Sequence, residues 1–150
     1  MNKKYFEDLV EGEQICCETV EMIKERIISF AIEFDPQPFH ISEKLAGESI
    51  FKGLIASSLH TMSACTKVVV DALEEVEILS GVGMDEVKMK NPVRPGDLLN
   101  VNAWWANLKS SGTRPDFGFG TVKCSVINQN NEPVIEYGYQ YIIRTISAQN

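Results

Sequence analysis

Two residue types suited to acid–base chemistry meet in the stretch Phe30 to Glu43, "FAIEFDPQPFHISE", where Asp35 is followed five positions later by His40, one of only two histidines in the chain. A carboxylate and an imidazole on a stiff segment can share one water, one group taking a proton as the other gives one, once burial and mutual charge tune their pKa values toward neutrality. That suits addition or elimination of water. Pro36 and Pro38 remove donors and push the residues before them out of helical geometry. The same spacing therefore also describes a plain helix stop, and by itself it leaves both readings open.

Other features carry chemical groups. In "FKGLIASSLHT" a glycine and small residues lead into an apolar run. The unpaired N–H groups at such a helix start, supplied by the backbone of Ser57 or Ser58, could hold an oxyanion such as the enolate of a thioester, or could simply be capped. Neither serine has a histidine in a nucleophile-elbow arrangement, which argues against a serine hydrolase. His60, three residues into the helix, has no evident partner and reads as structural. "GVGMDE" at Gly81 lacks the third glycine and following helix of a dinucleotide fingerprint. Arg114, in a loop between strands, reads equally as a phosphate contact or as a solvated turn, and Lys109, Arg94 and Lys90 are expected to complete a local basic patch with it, such as a CoA-type ligand would need.

The elements that must position these groups follow from periodicity. Ile23, Ile27, Phe30, Ala31 and Phe34 predict an amphipathic helix over 21–34, and Ser42 can cap a short helix through "EKLAGE". The segment "LIASSLHTMSACTKVVVDALEEV" is apolar nearly all round and predicts a long buried helix. The period then changes to two. Leu99, Val101, Ala103 and Trp105 alternate, as do Val122, Cys124 and Val126, and then Ile135, Tyr137, Tyr139, Tyr141 and Ile143. "NQNNEP" joins the last two strands as a hairpin. "EQICCETV" and "GMDEVKMKN" add two more strands, giving an α+β fold of one domain over 1–150: a curved antiparallel sheet wrapped around a long central helix.

Composition bounds the function. A net charge of −7 gives no basic field for nucleic acid. No apolar run approaches the ~18 residues of a membrane span, and "MNKKYFEDLVEGE" lacks the apolar core of a secretory signal, so the expected compartment is the cytoplasm. The four cysteines show neither a C-x-x-C pair nor zinc-like spacing, which fits reduced thiols and no metal site.

Taken together, "FAIEFDPQPFHISEKLAGESIFKGLIASSLHT", "PVRPGD", "SGTRPDFG" and "VINQNNEPV" resemble the MaoC-like dehydratases, including the R-specific enoyl-CoA hydratases, over residues 5–147. The resemblance implies a hot-dog fold and reversible syn hydration of a trans-2-enoyl-CoA to a 3-hydroxyacyl-CoA, with no cofactor. It places the catalytic pair on Asp35, as base, and His40, as acid/base partner. It puts the thioester-binding N–H on Ser58 and a supporting hydroxyl on Thr66. Gln37 stands where the family has asparagine and keeps an amide able to orient the histidine. Phe34 replaces a glycine, and Ser57-Ser58 replaces His-Gly, which is expected to add bulk near the thioester path. CoA contacts are expected from Arg94 and Arg114, and a homodimer or higher homo-oligomer is expected because a lone sheet of this kind exposes strand edges. Two other functions stay open. One is an acyl-CoA thioesterase using a carboxylate of the central helix, where Asp71 and Glu74 lie near the far end. The other is a non-catalytic acyl-CoA-binding module.

Overall fold

The computed structural model describes residues 2–149. The strands follow one another along the sheet edge to edge, so the alternation in their sequences becomes one continuous apolar face. Strands β3 (Ile78–Met89), β4 (Leu98–Ser110), β5 (Phe117–Ile127) and β6 (Pro133–Arg144) form an antiparallel sheet in the order β4-β5-β6-β3. Two short strands, β1 (Gln14–Ile15) and β2 (Val20–Glu21), lie against the free side of β4. Inward-facing residues fall in register across the sheet: Val101 opposite Val126 and then Ile135, Ala103 opposite Cys124 and then Tyr137.

Helix α4 (Ser58–Ala72) packs on this face through Thr61, Cys65 and Val69. Cys65, Val69 and Leu73 join Trp105, Val122, Cys124 and Tyr137 in the main apolar cluster. Burial pushes the Cys65 thiol up to about 12 and the Cys124 thiol to about 11, so both stay protonated and act as small apolar side chains. The sheet can curl around α4 because its ladders are interrupted. β4 shifts register between Ala106 and Lys109, with Asn107 at a φ of 53°. The N–H groups of Asn107 and Leu108 there donate to the Glu11 carboxylate at 2.7 and 3.0 Å.

Three expected boundaries are corrected. The first helix, α1, is Lys24–Phe34 rather than 21–34, because Val20 and Glu21 pair with β4 and Met22 exchanges backbone hydrogen bonds with Gly96 and Asp97. "EQICCETV" is two strands, not one: Gln14 opposes Trp104 but Val20 opposes Leu99, a one-residue change of register across Cys16–Thr19. β3 begins at Ile78, upstream of "GMDEVKMKN", because Glu77 is tied to Lys4 and to Arg144 by backbone bonds that carry the chain into the sheet. The hairpin at "NQNNEP" forms as expected, as does α3 (Glu43–Glu48) with Ser42 accepting from Leu45 N–H.

Trp105 shows how tightly the concave face is filled. It is 2% exposed, and a β-carbon added to Gly120 would lie 3.0 Å from its ring. Trp105→Ala is therefore expected to cost ~3–5 kcal/mol, read as a fall in the urea midpoint at unchanged slope. A loss under ~1 kcal/mol would mean that the sheet collapses around the gap.

Candidate active site

Helix α1 ends at Asp35, whose φ of −152° and ψ of 67° leave the helical region. Pro36 follows it, and Pro38 opens the one-turn helix α2 (Pro38–Ile41), where a missing N–H costs nothing. The prolines thus stop one helix and start another within four residues. His40 lies inside α2, not in an irregular segment after a helix stop, and is 5% exposed.

The structure brings Asp35 and His40 together, with Asp35 Oδ2 lying 3.5 Å from His40 Nε2. The backbone of Ile55 fixes the ring from behind. Its carbonyl lies 2.8 Å from His40 Nδ1, and its N–H donates to Phe39 O at 3.1 Å. A carbonyl can only accept, so Nδ1 carries a proton and Nε2 is the ring nitrogen that faces the carboxylate. Phe39 lies edge-on against the ring at 4.6 Å and holds its tilt.

Asp35 is steadied on both oxygens. Ser57 Oγ donates to Oδ2 at 2.7 Å, and Gln37 Nε2 donates to Oδ1 at 2.8 Å. These two hydrogen bonds, the serine's first, hold the Asp35 carboxyl below its ordinary value and outweigh the effect of burial, with His40 adding in the same direction. Asp35 is therefore a firmly ionised carboxylate. The Gln37 amide serves the aspartate and not, as expected, the histidine. Gln37 reaches His40 through its backbone carbonyl, which accepts from His40 N–H.

Ser57 contributes the side chain of the candidate site that sequence reasoning missed, having weighed its backbone N–H, and its hydroxyl only as a nucleophile. It is fully buried and forms the N-cap of α4, its hydroxyl also accepting from Leu59 N–H at 3.2 Å. A serine just before an apolar helical run is a capping signal, but nothing in the spacing pointed that cap at Asp35. Ser58 is the first residue of α4 and lines the same cavity. Its N–H has no protein acceptor among the described residues.

The cavity is about 510 Å3 and open to solvent, with Asp35, His40, Ser57 and Ser58 on one wall and Ile55, Val93 and Ile135 among its apolar residues. That volume suits a small ligand.

Other sequence-predicted positions lie elsewhere. Thr66 Oγ1 meets the Tyr137 hydroxyl at 3.3 Å and does not line this cavity. Arg94 donates to the carbonyls of Gly53 at 3.0 Å and Phe51 at 2.6 Å, so its guanidinium braces the segment leading into α4. Arg114 sits in the β4–β5 turn, paired with Asp116 through two hydrogen bonds and lying over the Phe117 ring. That turn adjoins Arg144, at the opposite end of β6 from the cavity residues Val134 and Ile135. The basic patch expected from Lys90, Arg94, Lys109 and Arg114 is thus dispersed: Lys90 lies at the cavity end of the sheet and Lys109, opposite Phe119, near the other.

Phe34 is 60% exposed and rests on Phe30, so its bulk does not enter the cavity. His60 stacks against the same Phe30 ring at 4.8 Å, and burial, with Arg26 nearby, lowers its pKa. Among the described residues no three His, Cys, Asp or Glu side chains are placed to hold a metal ion.

Ser57→Ala removes the donor that lowers Asp35 most. The native carboxylate's contribution to stability is complete above the ordinary aspartate value of 3.8 and is lost as pH falls through the lower folded-state value. Ser57→Ala is expected to be ~1 kcal/mol less stable at neutral pH from the lost cap, and to lose less than the native protein between about pH 5 and about pH 2. Denaturant titrations at a series of pH values check this, and parallel pH curves would refute the coupling.

The MaoC like domain model matches residues 8–127. A MaoC-like dehydratase from Rhodospirillum rubrum is 33% identical, with a TM-score of 0.86 over 95% of this chain and 97% of its own. YdeM of Bacillus subtilis (strain 168) is 29% identical over 134 residues, 89% of this chain and 94% of YdeM. The R-hydratase PhaJ1 from Pseudomonas aeruginosa, at 20% identity, shares the fold with a TM-score of 0.74 over 94% of this chain and 85% of its own. The sheet curved around α4 is a hot-dog fold. With four-fifths of its length under one family model, the chain belongs to the MaoC-like domain family.

Proposed function

We propose that this protein catalyses reversible syn hydration of a trans-2-enoyl-CoA to a 3-hydroxyacyl-CoA. One observation carries the reading. The Ile55 carbonyl accepts from His40 Nδ1–H, so the neutral form of the ring has its Nε2 lone pair beside Asp35 Oδ2, 3.5 Å away, at the cavity wall. Two acceptors side by side are complementary to the two hydrogens of one water, and leave its oxygen pointed at substrate.

The low pKa of Asp35 makes it a weak base and reverses the expected roles, so His40 and not Asp35 is proposed as the base. The carboxylate stays an anion that holds the water and favours an imidazolium beside it, and Nε2 takes the proton as the water oxygen bonds to C3. The C2=C3 pair becomes the C1=C2 bond of an enolate as the C1=O pair moves onto the thioester oxygen. The free Ser58 N–H at the start of α4, backed by the helix dipole, receives that enolate charge. C2 then takes the proton back from Nε2 on the same face, and the carbonyl reforms. Atoms and charge balance without a metal or redox group in the scheme. Lys90, which lines the cavity and lies 3.8 Å from Glu136, is proposed to meet the CoA portion.

The carboxylates that a helix-borne thioesterase would use do not favour that alternative. Asp71 and Glu74 are exposed, Asp71 pairs with Lys67, and neither lines the cavity. Asp35→Asn and His40→Gln are each expected to slow hydration of crotonyl-CoA ~100-fold or more, followed as loss of enoyl absorbance. Native-like rates in both variants would remove the pair from the mechanism, and thiol release from saturated acyl-CoAs would indicate hydrolysis instead.

The working unit is proposed to be a homodimer joined along β3. This twelve-residue strand ends the sheet, pairs only with β6 among the described residues, and exposes Val82, Met84, Val87 and Met89. A long apolar edge of this kind invites pairing with a second copy. Light scattering is expected to give a dimer mass for the native protein and a monomer mass for Val82→Lys/Val87→Lys. A native monomer at micromolar concentration would exclude it.

A further inference from the structure

The neutral His40 ring has one N–H and two acceptors that compete for it. The Ile55 carbonyl lies 2.8 Å from Nδ1, and Asp35 Oδ2 lies 3.5 Å from Nε2. At those distances the first is a hydrogen bond and the second is at the margin of one. Were the carbonyl to draw back, the carboxylate, an anion and the stronger acceptor, would favour the proton on Nε2 instead. Where one backbone carbonyl stands thus decides which ring nitrogen keeps a lone pair.

The Ile55–Ala56 peptide is a rigid plane, so its C=O and its N–H point in opposite directions and move together. The C=O meets His40 Nδ1, and the N–H donates to Val93 O at 2.9 Å. The Ile55 N–H is also tied to Phe39 O, but Phe39 adjoins His40 on α2 and would travel with it. The plane's far edge therefore depends on Val93, and the next residue, Arg94, sets how Val93 stands against the segment. Its guanidinium donates to Phe51 O at 2.6 Å and to Gly53 O at 3.0 Å. Lys52, between those carbonyls, has a φ of 56°, a left-handed conformation that a non-glycine residue keeps only where its surroundings hold it. The Arg94 backbone is held in turn: its N–H donates to Asp97 Oδ2 at 2.8 Å, while Gln129 donates to Asp97 Oδ1 at 2.9 Å.

We infer that Arg94 is a positioning residue for His40: its two-pronged grip on the carbonyls of Phe51 and Gly53 keeps the Ile55 carbonyl against Nδ1, and so keeps the Nε2 lone pair toward Asp35. It acts through the backbone of Ile55 and not on substrate. The tautomer follows from these contacts alone. Its consequence for the rate rests on the reading that Nε2 is the base in hydration.

NMR of the 15N-histidine-labelled protein reads the tautomer without substrate, with His60→Gln identifying the signals of the other histidine. The native protein is expected to show His40 as the Nδ1–H form in the neutral plateau of a pH titration. Arg94→Lys keeps the charge but loses the planar fork that spans two carbonyls. It is expected to shift the neutral ring toward the Nε2–H form, and to lower kcat for crotonyl-CoA ~10-fold or more with KM little changed. Gly53→Ala is a milder probe, because a β-carbon there would lie 3.2 Å from Arg94 Nη1 and crowd the guanidinium without removing it. It should move the tautomer the same way to a smaller extent, and it decides the matter should Arg94→Lys fail to fold. An Nε2–H ring in the native protein would overturn the inference. So would a tautomer that neither variant moves while the melting temperature falls, which would mark Arg94 as merely structural. A raised KM at unchanged kcat and tautomer would also overturn it and make Arg94 a ligand contact. A changed tautomer with kcat unaltered would sustain the positioning and remove Nε2 as the base. If the native protein leaves crotonyl-CoA unchanged, the hydratase reading falls alone and the tautomer still decides for Arg94.

Discussion

The site depends on what the Ser57 hydroxyl does with its single proton. It gives that proton to Asp35 Oδ2 and accepts from Leu59 N–H, so one atom joins the end of α1 to the start of α4. The carboxylate, the helix dipole and the open Ser58 N–H are thereby set in one frame. If Ser57 returned its hydroxyl elsewhere, α4 would lose its cap and Asp35 its lowest-energy charged state together. Stability and chemistry share this contact, which is how a strained or charged group is usually kept in place.

A second layer fixes the frame. Ile55 is bonded through both backbone groups to Phe39 and His40, and its neighbour Ala56 donates to Val93 O. Arg94, next to Val93, grips the carbonyls of Phe51 and Gly53. The extended segment 53–57 is therefore held from α2 on one side and from the turn before β4 on the other. A guanidinium spent on two neutral carbonyls is a poor candidate for steering phosphate and a good one for setting a loop, because its planar fork matches acceptors at a fixed separation.

The residues differ in how openly their sequence declares their role. Period-two alternation in β4, β5 and β6 was legible because each strand has one face on the core, and one-residue slips would expose the whole set. Asp35 and His40 were legible as types, and the prolines made their segment conspicuous. What stayed hidden depended on partners distant in the chain. Ser57 and Asp35 are 22 positions apart, Arg94 and Gly53 41 apart. The basic residues show the converse: like charge carries no information about proximity, and the sheet register puts Lys90 and Lys109 toward different ends. The two-part edge strand 14–21 was unreadable as such because a change of register leaves no mark on composition.

Pro36 and Pro38 also act where there is no structure. Each fixes its own φ and narrows the choices of the residue before it, so the unfolded chain around Asp35 samples fewer conformations than its neighbours and has less entropy to surrender. Part of the order at the site is thus already present in the denatured ensemble. A variant that replaced both prolines with compliant residues could keep every contact of the folded site and still hold it less often, because the competing disordered states would have multiplied.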